Sequence, residues 1–228
     1  MSIKDFDRPS LTTDMVLFRV LENENPNNRK TSDKSLQVLL IKRDSEPQKG
    51  FWSLPGGFVN IDEEIVVNVK RKLREKTGVY GDFYIEQLYT WGDLGRDERG
   101  RVVSVSFLGL CHSENYTTDE VETEVKWENV KNILSGEVKL AFDHLRIIKY
   151  ALERIQNKVE YTDIAFNLLP DTFTISDCKA VYELILDRPI DNFNRKVKDD
   201  IEATGELRQG KQFRPAALYK VKNKGSRF

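Results

Sequence analysis

The segment Gly57–Val79 (GFVNIDEEIVVNVKRKLREKTGV) contains closely spaced carboxylates and ammonium groups that could bind a charged ligand or take part in catalysis. Its apolar residues recur at helical spacing: Ile65, Val66, Val69 and Leu73. This spacing predicts a helix over Asp62–Thr77, which Gly78 ends. Four polar residues share one face of that helix: Asn68, Lys72, Glu75 and Lys76. Two ammonium groups beside one carboxylate repel a divalent cation, so we expect the lysines to pair with Glu75 or with a diphosphate, without activating water.

The same segment resembles the Nudix box, in which Gly and five residues precede Glu, and seven more precede Arg-Glu-aliphatic-x-Glu-Glu-x-Gly-aliphatic. Residues at matching positions are Gly57, Glu63, Arg71, Leu73, Glu75, Gly78 and Val79. Lys72 and Lys76 stand where the box has Glu. The resemblance implies a helix whose carboxylates gather Mg²⁺ beside a diphosphate and help to activate water. With two of them replaced by lysine, we expect no metal site, no required cofactor, and hydrolysis that is lost or very weak.

Alternatives remain open for the retained carboxylates. Glu63 and Glu75 would be the metal ligands of a Mg²⁺-dependent ADP-ribose pyrophosphatase, which is the alternative function. Arg71 and Glu75 would otherwise form only an i, i+4 pair that supports the helix. An enzyme that also binds DNA is a third possibility.

A Nudix pocket that lacks its metal can still bind a nucleotide diphosphate. The candidate ligand-binding residues are Arg43, Trp52, Gly56, Gly57 and Arg101, with Arg96 and Arg99 also available. Trp52 would stack on a base or belong to the core, and Arg101 would clamp a phosphate or solvate a turn. The remaining polar candidates are interpreted as turn formers (Asp93 and Asp97) and structural histidines (His112 and His144).

The residues after Asn157 predict a second unit. Val159–Pro170 is interpreted as a linker, and Ser176 as the N-cap of a helix that ends near Asp187. A second helix is predicted from Asp191 or Asn192 to Ala203, because Phe193, Val197 and Ile201 recur every fourth residue. Glu206–Arg208 and Ala216–Val221 predict a β-hairpin. Helix, short turn, helix and hairpin form the layout of a winged helix.

Charge supports this assignment. Gly205–Phe228 contains seven basic residues and one acidic residue. A basic excess over a hairpin is the electrostatic footprint that phosphate binding requires. A solvated basic tail is the simpler alternative.

A Nudix-like segment joined to a winged helix is similar to the NrtR family of Nudix-related transcriptional regulators. Leu88–Leu110 and the wing sequence FRPAALYKV (Phe213–Val221) carry the resemblance further. It implies a homodimeric regulator that senses a metabolite, commonly ADP-ribose, and controls genes of NAD or sugar metabolism. It also implies contacts with double-stranded operator DNA from the second helix and the wing: Asn192, Asn194, Arg195, Lys196, Lys198, Lys211, Gln212 and Arg214. Lys198, beside two aspartates, would otherwise be a solvated surface charge, and Arg8 is a further candidate in an N-terminal arm.

The elements that position these residues predict an α+β protein. Strands are expected at Met15–Leu21, Leu36–Ile41, Phe83–Thr90, Val102–Leu110 and near Val121–Trp127, and a further helix at Asp143–Gln156. We therefore predict a Nudix fold, a mixed sheet with flanking helices, over residues 1–157 and a winged helix-turn-helix domain over residues 158–228.

Composition narrows the class of protein. The 228 residues are 39% hydrophobic and 32% charged, which permits a packed core. Cys111 and Cys178 are far apart and show no metal-site spacing. The charged N-terminus and the lack of a long apolar run argue against secretion and against a membrane partner. We expect a cytoplasmic location.

Overall fold

The computed structural model describes residues 6–23, 33–208 and 215–222. Within them a mixed sheet is built from β1 (Ser10–Asn23), β2 (Asp33–Lys42), β3 (Trp52–Ser53), β4 (Gly56–Phe58), β6 (Tyr84–Trp91), β7 (Val102–Cys111) and β9 (Val125–Asn129). The order is β3-β2-β1-β7-β6, while β4 pairs with β1 and β9 with β2. β1 runs parallel to β7 and antiparallel to β2. β5 (Val79–Gly81) and β8 (Tyr116–Thr118) form a separate pair.

Helices cover both faces of this sheet. They are α1 (Ile65–Thr77), the short α2 (Val130–Leu134) and α3 (His144–Lys158). Side chains of β1 alternate between the two faces: Met15 belongs to the same buried cluster as Val69 of α1, and Val16 to the cluster that includes Ile148 of α3. Because both faces of β1 are buried, its central residues are apolar at successive positions and do not alternate with polar ones.

The C-terminal part confirms the winged-helix prediction. A 3-10 helix at Ile164–Leu168 is followed by α4 (Ile175–Leu186), α5 (Phe193–Val197), β10 (Ile201–Arg208) and β11 (Ala216–Val221). The stretch interpreted as a linker is buried, since Ile164, Ala165 and Leu168 are at most 2% exposed. One buried cluster continues from α3 through this segment into α4 and α5. The winged helix therefore packs on the Nudix part through a shared core.

Two boundary predictions in this region were wrong. The second helix ends at Val197 rather than Ala203, because Ile201 pairs with Val221 in the wing and its burial comes from that strand contact. The N-cap of α4 is Thr174 and not Ser176: the Thr174 hydroxyl accepts the Asp177 N–H, and the Asp177 carboxylate accepts the Thr174 N–H. This reciprocal pair is a capping box.

Some expectations concern residues that the structure does not describe. Lys211, Gln212 and Arg214, the predicted wing contacts, lie outside the described ranges. In the described part of the chain, no helix combines the length and the apolar character needed to cross a membrane.

Candidate functional site

A cleft of about 350 Å³ lies where the sheet, α1 and the start of α3 meet. Its floor includes Asp14 of β1 and Gly56 of β4, and its rim includes Phe142 just before α3. Six cationic side chains line it: Lys42, Arg43, Lys72, Lys76, Arg96 and Arg99. Three carboxylates do so as well: Asp14, Asp44 and Asp97. This excess of positive charge suits an anionic ligand.

The carboxylates of the predicted motif are held by arginine. Arg71 Nε and Nη2 each donate to Glu63 at 2.6 Å, and Arg71 Nη1 donates to Glu75 at 2.8 Å. The hydrogen bonds from Arg71 and Asn68 lower the pKa of Glu63 to about 2, so this carboxylate is ionised. No group of three or more His, Cys, Asp or Glu side chains placed to hold a metal ion is found among the described residues.

The two lysines of α1 both line the cleft. Lys72 lies against Gly57, and its Nζ donates to Glu75 at 3.1 Å. Lys76 forms no ion pair among the described residues; the pKa of Asp44 across the cleft is lowered mainly by a hydrogen bond from Ser45, with a smaller contribution from the charge of Lys76. The helix therefore presents to the cleft one ammonium group with a partner and one without.

Gly56 and Gly57 lie at the floor of the cleft, where neighbouring atoms approach them closely. Gly56 lies opposite Asp14 in the pairing of β1 with β4, and a Cβ at Gly56 would stand 2.1 Å from the carbonyl oxygen of Thr13. Only glycine fits so close to a neighbouring backbone. The nearest atoms to a Cβ at Gly57 would belong to the flexible side chain of Lys72, at 3.0 Å.

Asp14 organises the deepest part of the cleft. It accepts a hydrogen bond from Ser104, and Arg96 lies 3.9 Å away while forming a two-point ion pair with Asp143. His144 Nδ1 accepts the Leu54 N–H at 2.9 Å, so its remaining proton is on Nε2, which lies 3.6 Å from Asp14. Burial lowers the pKa of His144, which keeps the ring neutral. The start of α3 is thus fixed to the cleft floor.

Arginines and aromatic rings alternate along the rim. The Arg43 guanidinium lies 4.7 Å from the Phe142 ring centre, and the Arg99 guanidinium lies 5.1 Å from that of Phe58. The hydrogen-bonded ion pair with Asp97 raises the pKa of Arg99. The pKa of Arg43 is lowered, mainly by burial and also by the nearby charge of Arg99. Planar cations between rings form a surface on which a base or ribose can stack.

Two predicted ligand residues lie outside this cleft lining. Trp52 packs at the edge of the core, with Lys126 Nζ 4.1 Å above its ring. Arg101 Nη1 donates to the Gly92 carbonyl at 2.6 Å and so ties the loop between β6 and β7 to the start of β7. For both, the structure shows the packing and turn contacts that were the alternative interpretations.

The predicted DNA contacts of the second helix lie on or beside α5. Asn192, Asn194, Arg195 and Lys198 are exposed, while Lys196 is half-buried. Lys196 Nζ donates to the Glu160 carbonyl at 2.9 Å, so this lysine also holds α5 to the segment after α3. Buried Phe193 and Val197 fix the opposite face of α5. The exposed polar face is left available for a partner.

Comparisons with known proteins agree with this architecture. The NUDIX domain family matches residues 20–150, and the NrtR DNA-binding winged helix domain family matches residues 165–221. An alignment of 224 residues, 95% of this chain and 83% of the relative, gives 34% identity with the ADPR responsive transcriptional repressor NtrR of Acinetobacter baylyi. The chain belongs to the NrtR family.

Solved NrtR structures match the fold as well. Shewanella oneidensis NrtR, in a complex with a 27mer DNA, is 37% identical over 93% of both chains, with a TM-score of 0.76. The NUDIX domain of the same NrtR, in a complex with ADP ribose, is 37% identical over 68% of this chain and 94% of that one, with a TM-score of 0.54. The Nudix and winged-helix predictions are confirmed.

Sequence reasoning missed Asp14, Phe58 and Phe142 as residues of the cleft. Asp14 ends the polar run Thr12–Asp14 just before an apolar strand, and that abrupt change was a usable signal. Phe142 gave no such signal, because it adopts a positive φ of 53° and reaches the cleft only through the packing of α3 on the sheet.

Proposed function

We propose that this protein is a transcriptional repressor that binds operator DNA through its winged helix and responds to ADP-ribose bound in the Nudix cleft. The observation that carries the proposal is a cationic cleft that shares one continuous core with a DNA-binding domain. The relative from Acinetobacter baylyi is named an ADPR responsive repressor, and the Nudix domain of the Shewanella protein was solved with ADP ribose. Genes of NAD or sugar metabolism are the expected targets.

Lys72 and Lys76 supply the positive charge at the diphosphate of the effector. In a hydrolase a divalent cation held by carboxylates has that place, but here Glu63 and Glu75 are engaged by Arg71. Ammonium groups neutralise phosphate charge without lowering the pKa of a bound water. The effector is therefore bound without a required metal cofactor and is not hydrolysed.

The rim of the cleft holds the rest of the effector. Arg43, Phe142 and Phe58 provide cationic and aromatic surfaces for the adenine and ribose groups. Gly56 and Gly57 form part of the cleft floor beneath the effector. Trp52 and Arg101 support the walls from outside.

The repressor acts as a homodimer in the cytoplasm, where two winged helices read the two halves of a palindromic operator. The exposed residues Asn192, Asn194, Arg195 and Lys198 face the major groove. For Lys211, Gln212 and Arg214, which lie outside the described residues, the proposed contact is with the phosphate backbone or with the adjacent minor groove. We retain 1–157 and 158–228 as the two domains, with the boundary at the end of α3.

The test is selection of genomic DNA fragments by the purified protein with and without ADP-ribose. Recovery of one palindromic site that is lost when ADP-ribose is added supports the proposal. Recovery of no fragment above background refutes DNA-binding regulation. Mg²⁺-dependent release of AMP from ADP-ribose, abolished by Glu75→Gln, would establish the pyrophosphatase instead.

A matched pair of variants on α1 tests the role assigned to the lysines. Lys76→Met should weaken ADP-ribose binding about tenfold, because one partly exposed charge near a phosphate contributes about 1–2 kcal/mol. Lys70→Met removes the same charge from the exposed side of α1 away from the cleft and should leave the affinity unchanged. Calorimetry in EDTA and in Mg²⁺ should give the same affinity for the unaltered protein; a strict need for Mg²⁺ contradicts the role of the lysines.

A further inference from the structure

We propose that Asp177 is a positioning residue that ties the DNA-binding wing to the two-stranded ribbon β1–β2, and that this tie conveys the state of the cleft to the wing. The inference rests on the proposed function, because it names a route by which bound effector reaches the DNA-binding domain. It adds to the connection through α3, which joins the two domains directly along the chain.

Asp177 is the point where three parts of the molecule meet. Its carboxylate caps α4 by accepting hydrogen bonds from the Thr174 N–H and the Thr174 hydroxyl, at 3.0 and 2.7 Å. Arg208 Nη1, at the outer end of β10, lies 2.7 Å from Asp177 Oδ2. Lys34 Nζ, at the start of β2, lies 3.7 Å from Asp177 Oδ1 and also pairs with Glu22 of β1.

Burial distinguishes this cluster from an ordinary surface ion pair. The side chains of Lys34 and Asp177 are only 5% and 14% exposed, whereas those of Arg208 and Glu22 are about half exposed. Water screens the Lys34–Asp177 pair less than it screens an exposed pair. Removing either charge therefore leaves the other one buried with less compensation, which is unfavourable. The hydrogen bonds and cations around Asp177 outweigh its desolvation and lower its pKa. The carboxylate is therefore charged.

The ribbon connects this cluster to the cleft. Asp14 of β1 and Ile41 of β2 line the cleft, and Glu22 and Lys34 are paired at the far end of the same two strands. From Ile41 to Lys34 the strand covers about 23 Å at about 3.3 Å per residue. β7 and β9 hydrogen-bond to the outer sides of β1 and β2 as far as Arg19 and Gln37, and the pairing of β1 with β2 continues from there to Glu22 and Lys34, which stiffens the ribbon. A shift at the cleft end is thereby carried to Lys34.

In the described part of the wing, two of the contacts that hold it lie toward opposite ends of the hairpin. Tyr219 of β11 exchanges two backbone hydrogen bonds with Phe173, at 3.0 and 2.8 Å, which holds the base of the wing. Arg208 lies at the other end of β10, and among the residues that the structure describes its side chain is linked to the ribbon through Asp177. The contacts of Asp177 with Arg208 and Lys34 therefore help to set the angle of the wing about its base.

The test compares Lys34→Met with Lys131→Met in the full-length protein. Lys34→Met keeps the capping box and the Arg208 pair, while Lys131→Met removes the same charge from an exposed position on α2. The measured quantity is the ratio of operator Kd with and without ADP-ribose. We expect Lys34→Met to reduce this ratio about threefold or more, as substitutions along a coupling route do, with ADP-ribose affinity in the absence of DNA unchanged. Lys131→Met should keep the full ratio. An unchanged ratio in Lys34→Met overturns the proposal.

A second measurement separates this proposal from the proposed function. If the unaltered protein shows no response to ADP-ribose, the proposed function fails, and amide hydrogen exchange then decides whether the tie exists. Lys34→Met, and Asp177→Asn in case the first variant does not fold, should speed exchange in β10 (Ile201–Arg208) but not in β7 (Val102–Cys111). Equal exchange of β10 in the variant and the unaltered protein overturns the tie itself.

Discussion

Replacing Gly56 by alanine should destabilise the protein and deform the floor of the cleft. A Cβ at this position would lie 2.1 Å from the Thr13 carbonyl oxygen and 2.7 Å from Asp14 Oδ1. The Thr13 backbone cannot retreat, because β1 is paired with β4 on one side and with β7 on the other at this residue. Relief must come from displacement of β4.

The size of the effect follows from what the added methyl group meets. Overpacking a well-packed interior costs about 1–3 kcal/mol, and a clash with the backbone of a central strand belongs at the upper end, about 3 kcal/mol. Gly57→Ala is the matched control, because the atoms nearest its Cβ would be side-chain atoms of Lys72, with Cδ and Cε at 3.0 Å. That side chain can rotate away, so we expect a loss below about 1 kcal/mol.

Urea unfolding of the two variants and of the unaltered protein measures this difference. A loss of about 3 kcal/mol also lowers the Tm by about 6–12 °C, at about 2–4 °C per kcal/mol for a chain of this size. Gly56→Ala should in addition weaken ADP-ribose binding, since Asp14 and β4 form the cleft floor. The packing argument is refuted if Gly56→Ala is as stable as the unaltered protein, or if Gly57→Ala loses as much.

Three further predictions concern charge and capping. The pKa of Glu63 falls from its usual 4.5 to about 2 on folding, so its stabilisation is complete above about pH 4.5 and is lost as the pH falls toward 2. The difference between the urea midpoints at pH 6 and pH 3 should therefore be smaller in Glu63→Gln than in the unaltered protein. An equal difference in the two proteins would contradict the Arg71 contact. Thr174→Ala should cost about 1 kcal/mol in urea unfolding, while Ser176→Ala should be neutral; the reverse order would restore Ser176 as the cap. Arg195→Ala should reduce the salt dependence of operator binding by about one phosphate contact, whereas Arg188→Ala, which removes a charge already paired with Glu160, should change it less; equal slopes in both variants would place Arg195 away from the DNA.

The sequence was informative where local rules decide the structure. Helix α1 ends at Gly78, which adopts the left-handed conformation that its position required. The extended α5 prediction failed because the i, i+4 spacing of Val197 and Ile201 fits a helix, while the partner that places Ile201 in a strand is Val221, far along the chain. Local periodicity contains no information about such a pairing.

The same distinction holds for the candidate site. Lys72 and Lys76 were predicted to share the cleft-facing side of α1 because helical geometry fixes that side. The cap at Thr174 could have been found from the Thr-x-x-Asp spacing with Asp177. Asp14 and Phe142 could not have been joined from the sequence, since only the packing of α3 on the sheet brings them to one cleft.

The shared core limits how effector binding can reach the DNA. A buried cluster that runs without a break from the sheet through Ile148 of α3 to Val181 of α4 and Phe193 of α5 does not permit the winged helix to swing freely on a linker. Close-packed cores respond by small discrete shifts of whole elements. Two elements leave the cleft toward the winged helix: α3, which His144 fixes to the cleft floor, and the β1–β2 ribbon, which ends at Lys34. Because the two reach the winged helix at different places, the proposed coupling predicts that a change in the cleft that moves one against the other turns the wing relative to α5 and so alters the fit of the winged helix to DNA.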